Sequence, residues 1–233
     1  LHGRTLAHAW LFSGPSGVGK KMTALAVIQA LFCEQHTVAC GVCADCRKVS
    51  ECRHERLKFL SSEDSPSIKI EQTREIHSFL ALQSAGRARC ILIDGAEELT
   101  PQAANSFLKA LEEPPNETYF FLITSQLGSV LTTIRSRCRW MRFGPLPVSV
   151  LRKLSDADGW MLLASQGQLD VLSEYQDESV EQLRGQAIRS LKMALSGHKI
   201  EALEQMKQYF SDREHIQSLV RFWFQFVRDI WFL

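Results

Sequence analysis

Residues 14–21 near the start of the chain follow the pattern of a phosphate-binding loop. In the pattern G-x-x-x-x-G-K-[ST], backbone N–H groups surround the phosphates, the lysine reaches the outer phosphates and the hydroxyl holds Mg²⁺. The residues expected to bind phosphate are Gly14, Gly17, Gly19 and Lys20. Lys21 stands at the hydroxyl position, and an ammonium group cannot ligate Mg²⁺. The sequence therefore predicts a P-loop with a defective metal site.

A carboxylate that could hold Mg²⁺ lies at the end of a second apolar run, Arg89–Asp94. In P-loop NTPases the carboxylate at this position, Asp94 here, holds the metal. In ATPases of the AAA+ type the next residue is a glutamate that activates water. Here the next residue is Gly95. Both losses favour a module that does not hydrolyse ATP, and they call binding of ATP and Mg²⁺ into question. The alternative is that Asp94 only ends a strand.

Four cysteines have the spacing of a metal site. Cys40, Cys43 and Cys46 form C-x2-C-x2-C, and Cys33 precedes them by a short loop. Four thiolates suit one tetrahedral structural Zn²⁺, with His36 as a weaker candidate for the fourth ligand. The alternative is four thiols without metal. A disulfide framework is not expected beside a cytosolic P-loop.

Arg137 lies in a basic loop between Arg135 and Arg139. In oligomeric ATPases such an arginine enters the neighbouring subunit's site and offsets charge in the transition state. A solvated basic loop, with or without nucleic acid, fits the spacing equally well. Arginines that could form a patch for a zinc-dependent nucleic-acid-binding protein are Arg87, Arg89, Arg135, Arg139 and Arg142.

Alternating apolar runs in the first half predict an α/β fold with a parallel sheet. The strand candidates are Ala9–Ser13, Lys58–Leu60, Arg89–Asp94, Tyr119–Thr124 and the end of Arg135–Phe143. Helices are predicted over Met22–Phe32, the later part of Ser67–Leu82, and Pro101–Leu111 with Thr100 as its cap. After Gly144-Pro145 only helices are predicted: Val148–Leu154, Gly159–Tyr175, Ser179–Leu195, Ile200–Phe210 and His215–Leu233.

Composition limits the class of protein. An apolar fraction of 45% suffices for a full core, and a net charge of +1 leaves nucleic-acid contacts to a local patch. No run is long and apolar enough to span a membrane, and the first residues lack the apolar region of a signal peptide. We therefore expect a cytoplasmic protein without membrane partners.

Four motifs in order resemble the bacterial DNA polymerase III clamp loader: His8–Pro15, Cys33–Cys46, Leu99–Pro115 and Ile134–Cys138. The resemblance implies an AAA+ domain over residues 1–145 with a zinc-binding insertion at 33–46. It also implies a helical lid over 146–176 and a helical collar over 177–233, which we expect to be cut short. The family forms a hetero-pentameric ring of gamma/tau, delta and delta-prime subunits that loads a sliding clamp onto primed DNA within the polymerase III holoenzyme.

The resemblance also assigns roles to single residues. Gamma/tau subunits have an intact loop and an Asp-Glu pair, whereas delta-prime often has neither and offers the Ser-Arg-Cys arginine, Arg137 here, to an adjacent subunit. Thr124 matches the first nucleotide-sensing position. Residues 166–172 contain no arginine at the lid's sensing position. These departures favour a delta-prime-like subunit; the alternatives are an active gamma/tau-type ATPase and the nucleic-acid-binding protein named above.

Overall fold

The computed structural model describes residues 6–35, 38–62, 67–81, 87–207 and 213–231. The chain divides into two compact units, residues 1–145 and 146–233. His36 lies outside the described residues, so its prediction as a ligand stays a prediction.

The first unit is built on a five-stranded parallel sheet, as predicted. Its strands lie in the order β2-β3-β4-β1-β5. Their bounds are β1 Ala9–Ser13, β2 Leu57–Leu60, β3 Arg89–Asp94, β4 Thr118–Thr124 and β5 Arg139–Arg142. Ser13 pairs with Thr124 and Asp94 with Ile123, so the carboxyl ends of the three central strands meet at one edge of the sheet.

Helices cover both faces of this sheet, which explains why its central strands are continuous apolar runs. The helices are α1 Lys20–Phe32, α2 Ala44–Ser50, α3 Ile70–Ala81, α4 Pro101–Glu112 and α5 Thr132–Arg135. On one face Ile28 and Phe32 of α1 pack with Phe121. On the other face Phe107 of α4 meets Phe120, with ring centroids 5.3 Å apart.

Helix α4 begins as its sequence predicts. The Thr100 side chain accepts a hydrogen bond from the Ala103 backbone N–H at 3.2 Å, and Pro101 occupies the first turn. Buried Ala103, Phe107 and Leu111 then fix one face of the helix against the sheet. The C-terminal end of α4 is therefore firmly placed.

The described part of the second unit contains only helices. They are α6 Val148–Leu154, α7 Gly159–Ala164, α8 Leu169–Tyr175, α9 Glu178–Leu195, α10 Lys199–Met206 and α11 Arg213–Trp231. The single helix predicted over Gly159–Tyr175 is wrong, because Gln166 and Gly167 have φ of 51° and 82°. Two successive residues in the left-handed region cannot continue a right-handed helix. Phe210, Phe232 and Leu233 lie outside the described residues.

One apolar cluster joins α6, α7, α8, α9 and α11 of this unit. It includes Leu151, Leu162 and Tyr175 from the predicted lid, and Leu183 and Phe222 from the predicted collar. The division at residues 176 and 177 into lid and collar remains a prediction. None of the helices described is long and apolar enough to cross a membrane.

Candidate functional site

The phosphate-binding loop connects β1 to α1 at the edge where the central strands end. Gly17 and Gly19 have φ of 65° and 89°, and Gly19 stands directly before α1. These left-handed conformations explain the glycines, since other residues adopt them at a cost. The backbone thus forms the strand–turn–helix that the pattern requires.

Gly14 is required for a different reason, which gives a testable prediction. A Cβ at this position would lie 2.2 Å from the Phe143 carbonyl oxygen. Because the obstacle is backbone, we expect Gly14→Ala to lower the free energy of unfolding by about 1–3 kcal/mol. Gly128→Ala is the control, since its Cβ would meet nothing within 4 Å. Equal urea midpoints for the two variants would contradict this expectation.

Lys20 lies across its own loop. Its side chain is buried, and its Nζ donates to the carbonyl oxygens of Gly14 at 2.7 Å and Pro15 at 2.5 Å. The ammonium is therefore held over the turn that would surround phosphate.

Lys21 forms an ion pair with the predicted metal-binding carboxylate. Its Nζ lies 3.3 Å from Asp94 Oδ2, and the two side chains are 37% and 30% exposed. The same ammonium lies 4.5 Å from the centre of the Phe59 ring. A fixed positive charge thus stands beside Asp94, where a P-loop enzyme would hold Mg²⁺.

A cleft of about 240 Å³ opens at this edge of the sheet. It brings together three residues singled out from the sequence, Lys20, Asp94 and Thr124. Its remaining lining residues are Ser16, Ser61, Ser62, Gly95, Glu97, Glu98, Ile123 and Ser125. Gly14, Gly17, Gly19 and Lys21 belong to the adjoining loop and the start of α1.

Glu97 is a further carboxylate of the cleft, which was not singled out from the sequence. A short 3-10 turn, Ala96–Glu98, returns it to the end of β4. Its Oε1 accepts hydrogen bonds from the Ser125 backbone N–H at 2.8 Å and the Ser125 hydroxyl at 2.6 Å. Burial alone would raise the pKa of Glu97, but hydrogen bonds from Ser125, from the Glu97 backbone N–H and from Thr124 together outweigh it and lower the pKa below its usual value. The carboxylate is therefore held by Ser125.

Gly95 could not simply be replaced by the missing glutamate. Its φ is 88°, where any side chain strains the backbone, and a Cβ there would also displace the flexible Glu98 carboxylate, whose Oε2 would be 2.2 Å away. The backbone has thus adapted to glycine at the position where an AAA+ enzyme needs its base.

The four predicted ligand cysteines come together. Their Sγ atoms all lie within 4.8 Å of one another, and those of Cys40 and Cys46 are 3.9 Å apart. A tetrahedral zinc with Zn–S bonds of about 2.3 Å requires sulfurs about 3.8 Å apart. The backbone N–H groups of Cys43 and Cys46 also donate to Sγ of Cys40 and Cys43, both at 3.4 Å. The cluster can therefore hold a metal ion.

A buried histidine supports this cluster, and sequence reasoning missed it. His54 Nε2 lies 3.2 Å from Asp45 Oδ1, and its Nδ1 accepts from the Arg56 backbone N–H at 3.0 Å. Nε2 must then carry the hydrogen and donate to Asp45. The Phe32 ring packs against the imidazole, with ring centroids 4.7 Å apart and the rings tilted by 39°. These contacts tie α2 to the end of α1 and the start of β2.

Arg137 lies just after α5 and faces its own subunit. Nε donates to Glu112 Oε1 at 2.8 Å, and Nη2 donates to the same oxygen. Nη1 donates to the Thr133 carbonyl oxygen at 2.9 Å and the Ser136 hydroxyl at 3.2 Å. The guanidinium is therefore held at all three nitrogens, with the side chain one-third exposed.

Comparison with known proteins identifies the family. A sequence model described as DNA polymerase III, delta subunit, matches residues 1–147. The chain belongs to this DNA polymerase III family. The resemblance inferred from the motifs is thereby confirmed.

Individual relatives include more than one subunit type. DNA polymerase III subunit delta′ of Bacillus subtilis is 37% identical over 158 residues, which cover 66% of this chain and 47% of that protein. Subunit tau of Escherichia coli is 36% identical over 148 residues, covering 62% and 23%. The chain thus spans about half the length of the delta′ relative and about a quarter of the length of the tau relative. Identity alone does not separate delta′ from gamma/tau.

A solved structure shares the fold. It is a DNA polymerase III gamma subunit-related protein from Thermotoga maritima, with a TM-score of 0.50 and 20% identity, covering 92% of this chain and 72% of that one. The predicted α/β AAA+ fold followed by helices is confirmed.

The structure does not support the basic patch of five arginines that the sequence suggested. Arg89 is buried, and its Nη1 donates to the carbonyl oxygens of Phe79 at 3.3 Å and Leu80 at 3.1 Å. Burial lowers the pKa of this guanidinium. Arg87 instead forms an exposed ion pair with Glu34, at 3.5 Å. The five arginines therefore do not form one surface patch.

Proposed function

We propose that this chain is a delta-prime-like subunit of the DNA polymerase III clamp loader, an AAA+ module that does not hydrolyse ATP. It would support a hetero-pentameric ring with gamma/tau and delta subunits in the cytoplasm. There it would supply Arg137 to a neighbouring ATPase site while the ring loads a sliding clamp onto primed DNA.

The observation that carries this proposal is the ion pair between Lys21 and Asp94. In phosphoryl transfer Mg²⁺ bridges the outer phosphates and neutralises developing charge, with ligands from the loop hydroxyl and the strand carboxylate. The ammonium of Lys21 supplies charge beside Asp94, 3.3 Å away, but it offers no lone pair to a metal. Gly95 removes the water-activating base as well. The two changes act on different parts of the same reaction.

We expect the isolated chain to hydrolyse no ATP above background. Loss of a general base alone lowers rates by about 10² to 10⁴, and the metal site is altered in addition. A sensitive phosphate-release assay with Mg²⁺ checks this, with Lys20→Ala as the background control. Lys21→Thr should remain inactive because Gly95 offers no base. Turnover of about 1 s⁻¹ that disappears in Lys20→Ala would instead favour the gamma/tau-type alternative.

The cysteine cluster would hold one structural Zn²⁺. Its four ligands would be Cys33, Cys40, Cys43 and Cys46, as the sulfur separations support. The metal would connect the end of α1 to α2 and would take no part in phosphate chemistry, because four cysteines leave no open coordination position.

A further inference from the structure

Glu112 binds the guanidinium of Arg137, the group that would enter a neighbouring subunit's site under the proposed function. Both Nε and Nη2 of Arg137 donate to Oε1 of Glu112. The opposite side of the guanidinium is fixed by Thr133 and Ser136. Glu112 is the last residue of α4, whose preceding residue, Leu111, is buried in the core.

We propose that Glu112 is the positioning residue for Arg137, an inference that rests on Arg137 acting as an arginine finger in trans. It fixes the side-chain conformation of the arginine before the neighbouring subunit arrives. A free arginine side chain has many rotamers, and restricting it to one of them when the interface forms would cost conformational entropy. Attachment to the end of a buried helix makes the placement reproducible, as preorganised sites require.

The exposure of the pair suits this role. Glu112 is 48% exposed and Arg137 is 33% exposed, so water screens their attraction. A phosphate in a closed interface interacts more strongly with a guanidinium than a half-solvated carboxylate does. Arg137 can therefore turn one of its two N–H donors from Glu112 to phosphate while the other keeps the side chain in place.

The neighbouring glutamate provides a matched control. Glu113 follows α4 directly, is exposed, and carries the same charge one residue away. A general effect of negative charge near this loop would be shared by both glutamates, whereas, among the described residues, Arg137 donates to the carboxylate of Glu112 and not to that of Glu113.

The test is the ATPase activity of the complete complex, built with the full-length chain and stimulated by clamp and primed DNA. We expect Glu112→Ala to lower kcat by about threefold to tenfold with little change in KM, because a finger acts on the transition state. Glu113→Ala should stay within about twofold of wild type. Glu112→Ala combined with Arg137→Ala should be no slower than Arg137→Ala alone, since both changes act through one group. Glu112→Gln, which keeps an acceptor oxygen, should recover part of the rate.

A second measurement reads the contact directly in the full chain without partners. The ¹H–¹⁵N signal of Arg137 Nε should be protected from solvent exchange in wild type and in Glu113→Ala, and this protection should be lost in Glu112→Ala.

The outcomes separate the two proposals. If the complex with Arg137→Ala hydrolyses ATP at the wild-type rate, the proposed function fails, whatever Glu112 does. If Arg137→Ala slows the complex but Glu112→Ala leaves it unchanged or faster, only the positioning role is overturned. An Nε signal that is equally protected without Glu112 also overturns it.

Discussion

Arg137→Ala in the full chain is expected to lower the DNA-stimulated ATPase rate and the clamp-loading rate of the assembled complex more than any other surface substitution in this subunit. An arginine finger is worth about 10³ to 10⁵ in rate in well-studied enzymes. The measured loss should be smaller here, because the proposed ring would keep the active sites that Arg137 does not serve. The variant should still assemble, since one side chain at a rim rarely decides association.

The appropriate control is Arg135→Ala, two residues away in the same basic loop. Arg135 is exposed and ends α5, so its loss removes a similar charge from nearly the same place. Size-exclusion chromatography would establish that both variant complexes form. If the Arg137→Ala complex assembles and hydrolyses ATP at the wild-type rate with clamp and primed DNA present, Arg137 is not a finger. A solvated basic loop is then the better interpretation.

Features determined by neighbouring residues were predictable from the sequence. The strand, glycine turn and helix around Lys20 follow from a local apolar run and from glycines that adopt positive φ. The start of α4 follows from Thr100 and Pro101, which satisfy its first N–H groups within one turn. The cysteine cluster belongs here too, since its spacing limits how far apart the thiols can lie.

Features determined by distant contacts were not predictable in the same way. The partner of Arg137 is 25 residues earlier in the chain, at the far end of α4. Arg89 was considered as part of a surface patch, yet it lies under the C-terminal end of α3. The last carbonyl groups of a helix lack partners within the helix and attract a cation, which explains how an arginine is accommodated there. Only the path of the chain brings these groups together.

The break between α7 and α8 shows a different limit. Apolar residues continue at helical spacing through 159–175, so periodicity alone predicts one helix. Gln166 nevertheless adopts a φ of 51°, which non-glycine residues rarely do. Gly167 was the available signal for an interruption, and the apolar pattern outweighed it.

The second large effect is expected from the cysteine cluster. Protein purified without chelator should contain one zinc per chain, bound by Cys33, Cys40, Cys43 and Cys46. In small zinc modules metal binding is worth roughly 10 kcal/mol, and it is coupled to folding. Removal of zinc should therefore unfold the region around α2. It should not unfold the sheet, whose apolar clusters include none of the four proposed ligand cysteines.

Elemental analysis and hydrogen exchange check the two parts of this expectation. Cys46→Ser removes a buried ligand, so this variant should lose zinc and the protection of amides in α2, while amides of β3 and β4 stay protected. Cys52→Ser is the control, because Cys52 lies just beyond α2 and outside the cluster. That variant should keep its zinc. A zinc content well below one per chain in wild type, with all four thiols titrating freely, would show that the cysteines are packed together without a metal. The contacts of His54, the hydrogen bond from Gln29 Nε2 to the Cys46 carbonyl oxygen and the burial of Val49 would then hold α2 without a metal.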